Sequence, residues 1–182
     1  SLTQHLLGIN EFFIQLLVHA RHHPQTRLAR WWSERDTSAA YGRRIHPDGH
    51  GVWISGGRSV GFFLEYDTGT EPLGRLVGKL ASHRRLRSDG GPSYPVLFVL
   101  PSRTREQNLH RRFTEGMDTG VVVATTSPDS GTDPAGAVWR LVGNGRHRLT
   151  LADLASSHGQ PGPINPGAPT PAQDPLLAWG DR

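Results

Sequence analysis

Apolar residues recur at helical spacing from the start of the chain. Leu2, Leu6, Ile9, Phe13, Leu16, Leu17 and Ala20 predict a helix over 2–23, stopped by Pro24. Arg27–Glu34, with Trp31 and Trp32, reads as a strand, and a polar loop follows to Gly49. The period then shortens to two. Val52–Ser55 is a short strand, Gly56-Gly57 a hairpin turn, and Ser59–Asp67 a longer strand. Val60, Phe62, Leu64 and Tyr66 line one face of that strand; Gly61, Phe63, Glu65 and Asp67 line the other. Helical spacing returns after Thr70, a candidate N-cap with Pro72 in the first turn, and Leu73, Leu76, Val77 and Leu80 form an apolar stripe running to about Leu86. Pro95–Leu100 is apolar throughout, as in a strand covered on both faces. A polar helix over Thr104–Glu115, a second buried strand over Val121–Thr125, and short elements at Ala137–Val142 and Leu149–Ala155 complete the pattern.

The order α-β-β-β-α-β-α-β predicts one α/β domain over residues 1–155, a mixed central sheet flanked by helices. Composition changes at Ser156: Pro161, Pro163, Pro166, Pro169, Pro171 and Pro175 predict a flexible tail over 156–182. Leu176-Leu177-Ala178-Trp179 within it reads as a frayed terminus or a small docking segment. With 182 residues, 35% of them hydrophobic, and a mean hydropathy of −0.47, one domain plus a tail is the expected organisation. No apolar run approaches a membrane span and no secretory leader is visible, so a soluble, cytoplasmic protein is expected. The first residue is Ser1, not Met, which gives the chain a fragment-like start. The absence of cysteine excludes disulfides, thiolate nucleophiles and Cys-ligated zinc.

Three carboxylates carry the candidate chemistry. Asp48 lies in the His46-Pro47-Asp48-Gly49 segment before the second strand, while Glu65 and Asp67 share a face at the end of the third. An Asp at the mouth of one strand beside acids on its hairpin partner makes a self-repelling cluster that a hard cation relieves, which points to Mg²⁺ or Mn²⁺. The plainer reading makes Asp48 a turn residue and pairs Glu65 and Asp67 with arginines. Net charge is +4, and Lys79 is the only lysine among the 20 Lys and Arg residues. Lys79 falls in the second helix, in line with Arg75 and His83. Unlike arginine, lysine can titrate when its surroundings shift it.

This arrangement resembles the restriction-endonuclease-like, or PD-(D/E)xK, fold, whose αβββαβ core is similar to residues 2–100. The resemblance implies a metal-binding Asp at the start of the second core strand, matched by Asp48 in Pro47-Asp48. It also implies an acidic-x-Lys triplet on the third strand, where this chain has Glu65-Tyr66-Asp67. Asp67 stands where the lysine is expected, so the resemblance assigns that role to Lys79 of the following helix. It makes Glu11 the acidic residue of the first helix. More narrowly, Phe62–Arg85, Ile45-His46-Pro47-Asp48, the Leu6–Leu17 helix and Pro95–Pro101 resemble the replication-relaxation proteins of bacterial plasmids and conjugative elements, over residues 2–155. What the resemblance implies is a metal-dependent DNA nuclease or nickase acting in plasmid or mobile-element replication or transfer. Asp48, Glu65, Asp67 and Glu11 would hold Mg²⁺ or Mn²⁺, and Lys79 would stabilise the attacking group or the phosphate. The alternative is a catalytically inactive DNA-binding or protein-docking module of the same fold, working with other replication or transfer proteins.

Arg75, Arg84, Arg85, Arg87, Arg111 and Arg112 are the candidate phosphate contacts, set against the ordinary reading of a solvated, dipole-complementing face. His19, His22 and His23 have zinc-like spacing, but histidines at a helix C-terminus are electrostatically ordinary. Neither a tyrosine-nucleophile relaxase nor a phosphate-binding Gly loop fits: no His-hydrophobic-His triad accompanies Tyr41, Tyr66 or Tyr94, and no Lys-Ser/Thr follows Gly56-Gly57.

Overall fold

The first helix, α1 (Leu2–His22), buries Ile9, Phe12, Phe13 and Leu16 and presents its other side outward. In the computed structural model, which describes residues 2–114 and 119–170, this stripe lies across one face of a seven-stranded sheet. Glycines let it approach closely. A Cβ at Gly49 would stand 2.8 Å from the Phe13 ring, and one at Gly8 would overlap Tyr66.

Strands β1 (Thr26–Ser33), β2 (Gly49–Ser55) and β3 (Arg58–Tyr66) form an antiparallel meander. The two-residue turn at Gly56-Gly57 pairs Ser55 with Arg58, and Gly56 takes the left-handed φ of 58° that the turn needs. Strand β4 (Val96–Val99) adds parallel to β3, and β5 (Val123–Thr126) parallel to β4. The short β6 (Trp139–Leu141) and β7 (Arg148–Leu149) close the sheet in antiparallel sense, so the spatial order follows the chain order. The protein is thus an α/β protein with a mixed sheet flanked by helices, as the alternation of patterns predicts.

Alternation along the strands divides the core. Leu64, Leu97 and Ala124 pack toward α1, whereas Val96, Phe98 and Val123 pack under the helices of the opposite face. Those helices are α3 (Leu73–Gly78), α4 (Leu80–Ser88) and α5 (Arg103–Thr114), contributing Leu76, Leu80, Leu109 and Phe113. Tyr41, Ile45, Phe63, Leu86 and Tyr94 make a smaller aromatic cluster beside them.

Several elements differ from the sequence reading. The loop expected before Gly49 holds a helix, α2 (Glu34–Ala40), whose N-cap Ser33 accepts a hydrogen bond from the Asp36 amide. The single helix expected from Thr70 begins at Leu73, after Pro72 as its N-cap, and is broken at Lys79, next to Gly78, which has low helix propensity. Residues 156–170 are not a free tail. Ser157 pairs with Ser93, the buried Asn165 amide donates to the His158 and Gln160 carbonyls, and Gly167 O accepts from the buried Arg30. Glu115 and the Leu176–Trp179 segment lie outside the described residues.

Candidate functional site

The hairpin register builds the site. Gly49 pairs with Leu64, so Asp48, one step further, falls opposite Glu65 where the two strands open. The Asp48 amide donates to Leu64 O, and the Asp48 carboxylate accepts from the Tyr66 amide at 2.7 Å, extending the ladder through a side chain. Asp48 is therefore more than a turn residue. Burial, then the nearby Glu65 carboxylate, raise its pKa to about 6, against the opposing pull of the Tyr66 amide, His5 and Lys79.

Lys79 reaches this pair from the junction of α3 and α4. Its Nζ lies 3.5 Å from Glu65 Oε2 and 3.2 Å from Glu71 Oε1. Burial alone would lower the Lys79 pKa, but Glu65, Asp48 and Glu71 outweigh it and hold the ammonium above its ordinary value. The acids around Lys79 thus favour its charged form. The other oxygen of Glu65 faces the buried ring of His83, with Nε2 at 3.6 Å.

Asp67 takes a different partner. Arg105, in the first turn of α5, binds both of its carboxylate oxygens, with Nη2 at 3.1 Å from Oδ1, and the Gly69 amide donates to the same Oδ1. Arg105 Nη2 also donates to Glu71 O, which ties the loop after β3 to α5. Strand β3 ends at Tyr66, and the Asp67 amide adds one more bond toward β4, to Val99 O. Glu11 is exposed on α1, bonded to Gln15, and lines a cleft with Phe12, Tyr66 and Thr126 on the α1 face of the sheet. Glu65 instead follows Phe63 in alternation toward the α4 face. Among the described residues no group of three or more His, Asp or Glu side chains has the arrangement of a metal site. The structure thus brings together Asp48, Glu65 and Lys79 and leaves Asp67 and Glu11 apart.

The sequence reading missed His5 and Glu71. His5 Nε2 stands 3.3 Å from Asp48 Oδ2, delivered by the first turns of α1. Nothing in local spacing connects residues so far apart in the chain. Glu71 precedes α3 and had no partner to point to it before Lys79 was placed.

The candidate DNA-contacting arginines divide likewise. Arg84 Nη1 and Arg87 Nη1 donate to the Thr119 and Gly120 carbonyls and fasten α4 to that loop. Arg75, Arg85, Arg111 and Arg112 lie exposed on α3, α4 and α5. The histidines at the end of α1 do not form a zinc group: His19 Nδ1 pairs with Asp133 at 2.7 Å, and His23 Nδ1 bonds to His19 O.

A mixed α/β protein with an acid pair and a lysine at the open end of a hairpin is the class that fold and site define. Residues 1–97 match the model of the replication-relaxation family, a stretch running from α1 through β3 into β4 and including Asp48, Glu65 and Lys79. The chain belongs to the replication-relaxation family, and that membership points to a role in plasmid replication or transfer. No curated protein matches the chain. None of the helices among the described residues is long and apolar enough to cross a membrane.

Proposed function

We propose that the chain is a metal-dependent DNA nuclease or nickase with a restriction-endonuclease-like core, serving plasmid replication or transfer. The observation that carries the reading is Asp48 opposite Glu65 at the mouth of the hairpin, with Lys79 Nζ 3.5 Å from Glu65. The antiparallel β1–β2–β3 meander, followed by helices and a parallel β4, supports the αβββαβ core.

The donor set fits a hard cation in one specific way. Two carboxylates lie close enough for burial and mutual repulsion to raise the Asp48 pKa, an excess of negative charge that a divalent ion relieves. Mg²⁺ is commonly held by one or two carboxylates, with water and phosphate oxygens filling the remaining positions. Asp48 and Glu65 are the residues that would hold Mg²⁺ or Mn²⁺; Asp67, bound by Arg105, and the distant Glu11 are not. Such an ion supplies charge stabilisation at a phosphate and lowers the pKa of water. Lys79, kept protonated by its acidic neighbours, places a permanent positive charge beside the position where a phosphate gains negative charge. His5 orients Asp48, and Glu71 orients Lys79.

A second reading, a catalytically inactive DNA-binding or docking module, is favoured by the capture of Asp67 by Arg105, which leaves a smaller acid set. Supercoiled plasmid incubated with Mg²⁺ or Mn²⁺ distinguishes the two. The nuclease reading expects conversion to open-circular or linear DNA and a loss of at least ~10²-fold in each of Asp48→Ala, Glu65→Ala and Lys79→Ala. Plasmid left intact by folded wild-type protein that still binds DNA rejects it.

A further inference from the structure

A cleft of about 740 Å³ lies between the first turns of α1 and the segment 31–48, and Asp48 is part of its wall. Its charged lining is mixed: the guanidiniums of Arg35 and Arg43 face it, with Glu34 and Asp48 as the acids and the rings of His5 and His46 among them. Arg35 and Arg43 are exposed, and neither guanidinium is engaged by a hydrogen bond or ion pair within the described residues. In contrast, Arg84 and Arg87 are held by backbone carbonyls.

Arg43 is presented by a strained turn. It is the only non-glycine residue with positive φ among the described residues, at 59°, and follows Gly42 at 64°. The buried Tyr41 and Ile45 on either side, and a 2.7 Å bond from the Arg43 amide to Ser38 O, hold the turn in that state. Backbone strain maintained by surrounding packing is a feature of ligand-binding positions. The cleft also has apolar walls. Trp31, stacked on Phe13 at 4.8 Å, lines it, and so do Leu2 and Leu6, which are 75% and 53% exposed.

Two disengaged guanidiniums beside an aromatic ring and exposed leucines fit the chemistry of unpaired nucleic acid, with phosphates for the arginines and base faces for the apolar wall. We propose that this cleft binds a single DNA strand and leads it to Asp48. The proposal rests on the reading of the chain as a protein that acts on DNA, and it places strand binding on the α1–α2 side instead of on the exposed arginines of α5.

The test is fluorescence anisotropy of the full chain with a labelled mixed-sequence oligonucleotide, single-stranded or annealed as a duplex, in EDTA. Arg43→Gly removes the guanidinium and suits the left-handed backbone, so it does not endanger folding. Combined with Arg35→Gln, it is expected to weaken single-strand binding at least tenfold and to flatten the slope of log K against log salt by about 0.7 per arginine. Arg111→Gln with Arg112→Gln is expected to change affinity less than twofold. Wild type should bind the single strand more tightly than the duplex. Unchanged affinity in the Arg35/Arg43 variant, the loss falling on the Arg111/Arg112 variant, tighter duplex binding, or no binding by wild type overturns the proposal. Loss of binding in the cleft variant, together with a wild type that nicks no plasmid, supports this site while rejecting the nuclease reading. Nicking by wild type with intact binding in the cleft variant does the reverse.

Discussion

Glu65 and Asp67 lie two residues apart at the end of one strand, yet their surroundings differ in kind. Glu65 stays within the ladder, opposite Asp48, with Lys79 at 3.5 Å as a loose, partly exposed counter-ion. Asp67 lies just past the strand end and is bound on both oxygens by Arg105. One region keeps a charge imbalance and the other has removed it. Strand alternation brings acids to a place, but the helices that pack there decide which acid remains available for chemistry.

The strongest way to break this comparison is to remove the partner of Asp67. Arg105→Ala leaves a buried carboxylate with only the Gly69 amide, and is expected to destabilise the fold by roughly 3 kcal/mol, read from the urea midpoint. Glu65→Gln, which relieves repulsion with Asp48, should cost far less stability while abolishing any plasmid nicking. If both substitutions destabilise equally, the two carboxylates do not differ in role.

A second test uses pH. The folded pKa of Asp48, about 6, exceeds its value in an unfolded chain, near 3.9. Between those values the native state holds a proton that the unfolded state has released, so this group makes stability fall as pH rises from about 4 to 6. Asp48→Asn should remove that slope and stabilise the protein at pH 7 by on the order of 2 kcal/mol. An unchanged profile would mean that burial and the Glu65 carboxylate do not raise the Asp48 pKa.

The buried histidines slope the other way, which sharpens the contrast. Burial, then Arg30, lower the pKa of His50 to about 3; burial, then Arg140, lower that of His110 to about 4. The unfolded state gains protons that these rings refuse, so their contribution is complete above pH 6.5 and is lost as pH falls toward those values. NMR titration should find both rings neutral at pH 5 in the folded protein; protonation of either near pH 6.5 would contradict their burial.

How much of this was readable in the chain depends on the range of the interaction. The Gly56-Gly57 turn sets a two-residue hairpin, and counting outward from it brings Asp48 opposite Glu65. The acid pair was therefore legible. The break at Lys79 had local signals in Gly74 and Gly78, and α2 had one in Ser33 with Asp36 three residues on, but α2 carries no apolar stripe to draw attention to it. Pairing of Asp67 with an arginine was one of the two readings the sequence offered, but the partner was not legible, because Arg105 arrives on a helix whose placement depends on β4 and β5. Nor was the docking of 156–170. Proline content predicts low helix and strand content, but says nothing about one buried Asn165 amide or the Arg30 bond to Gly167.

The smallest expected effect concerns the arginines of α4, where sequence made no distinction between neighbours. Arg84 Nη1 donates to Thr119 O at 3.1 Å, and its stem packs against Gly120, where the φ of 64° favours glycine and a Cβ would stand 2.7 Å from Arg84 Cδ. Arg85, next in sequence, is exposed. Arg84→Ala loses one carbonyl bond and some stem packing, worth about 1 kcal/mol, whereas Arg85→Ala should stay within about 0.5 kcal/mol of wild type. Urea midpoints of the two variants measure the difference directly. If Arg84→Ala is as stable as Arg85→Ala, its contact with the 119–120 loop contributes nothing and its guanidinium is available to a ligand. The full predicted difference would make Arg84 a strut between α4 and the loop before β5, and would shift attention for phosphate binding to arginines that hold nothing else in place.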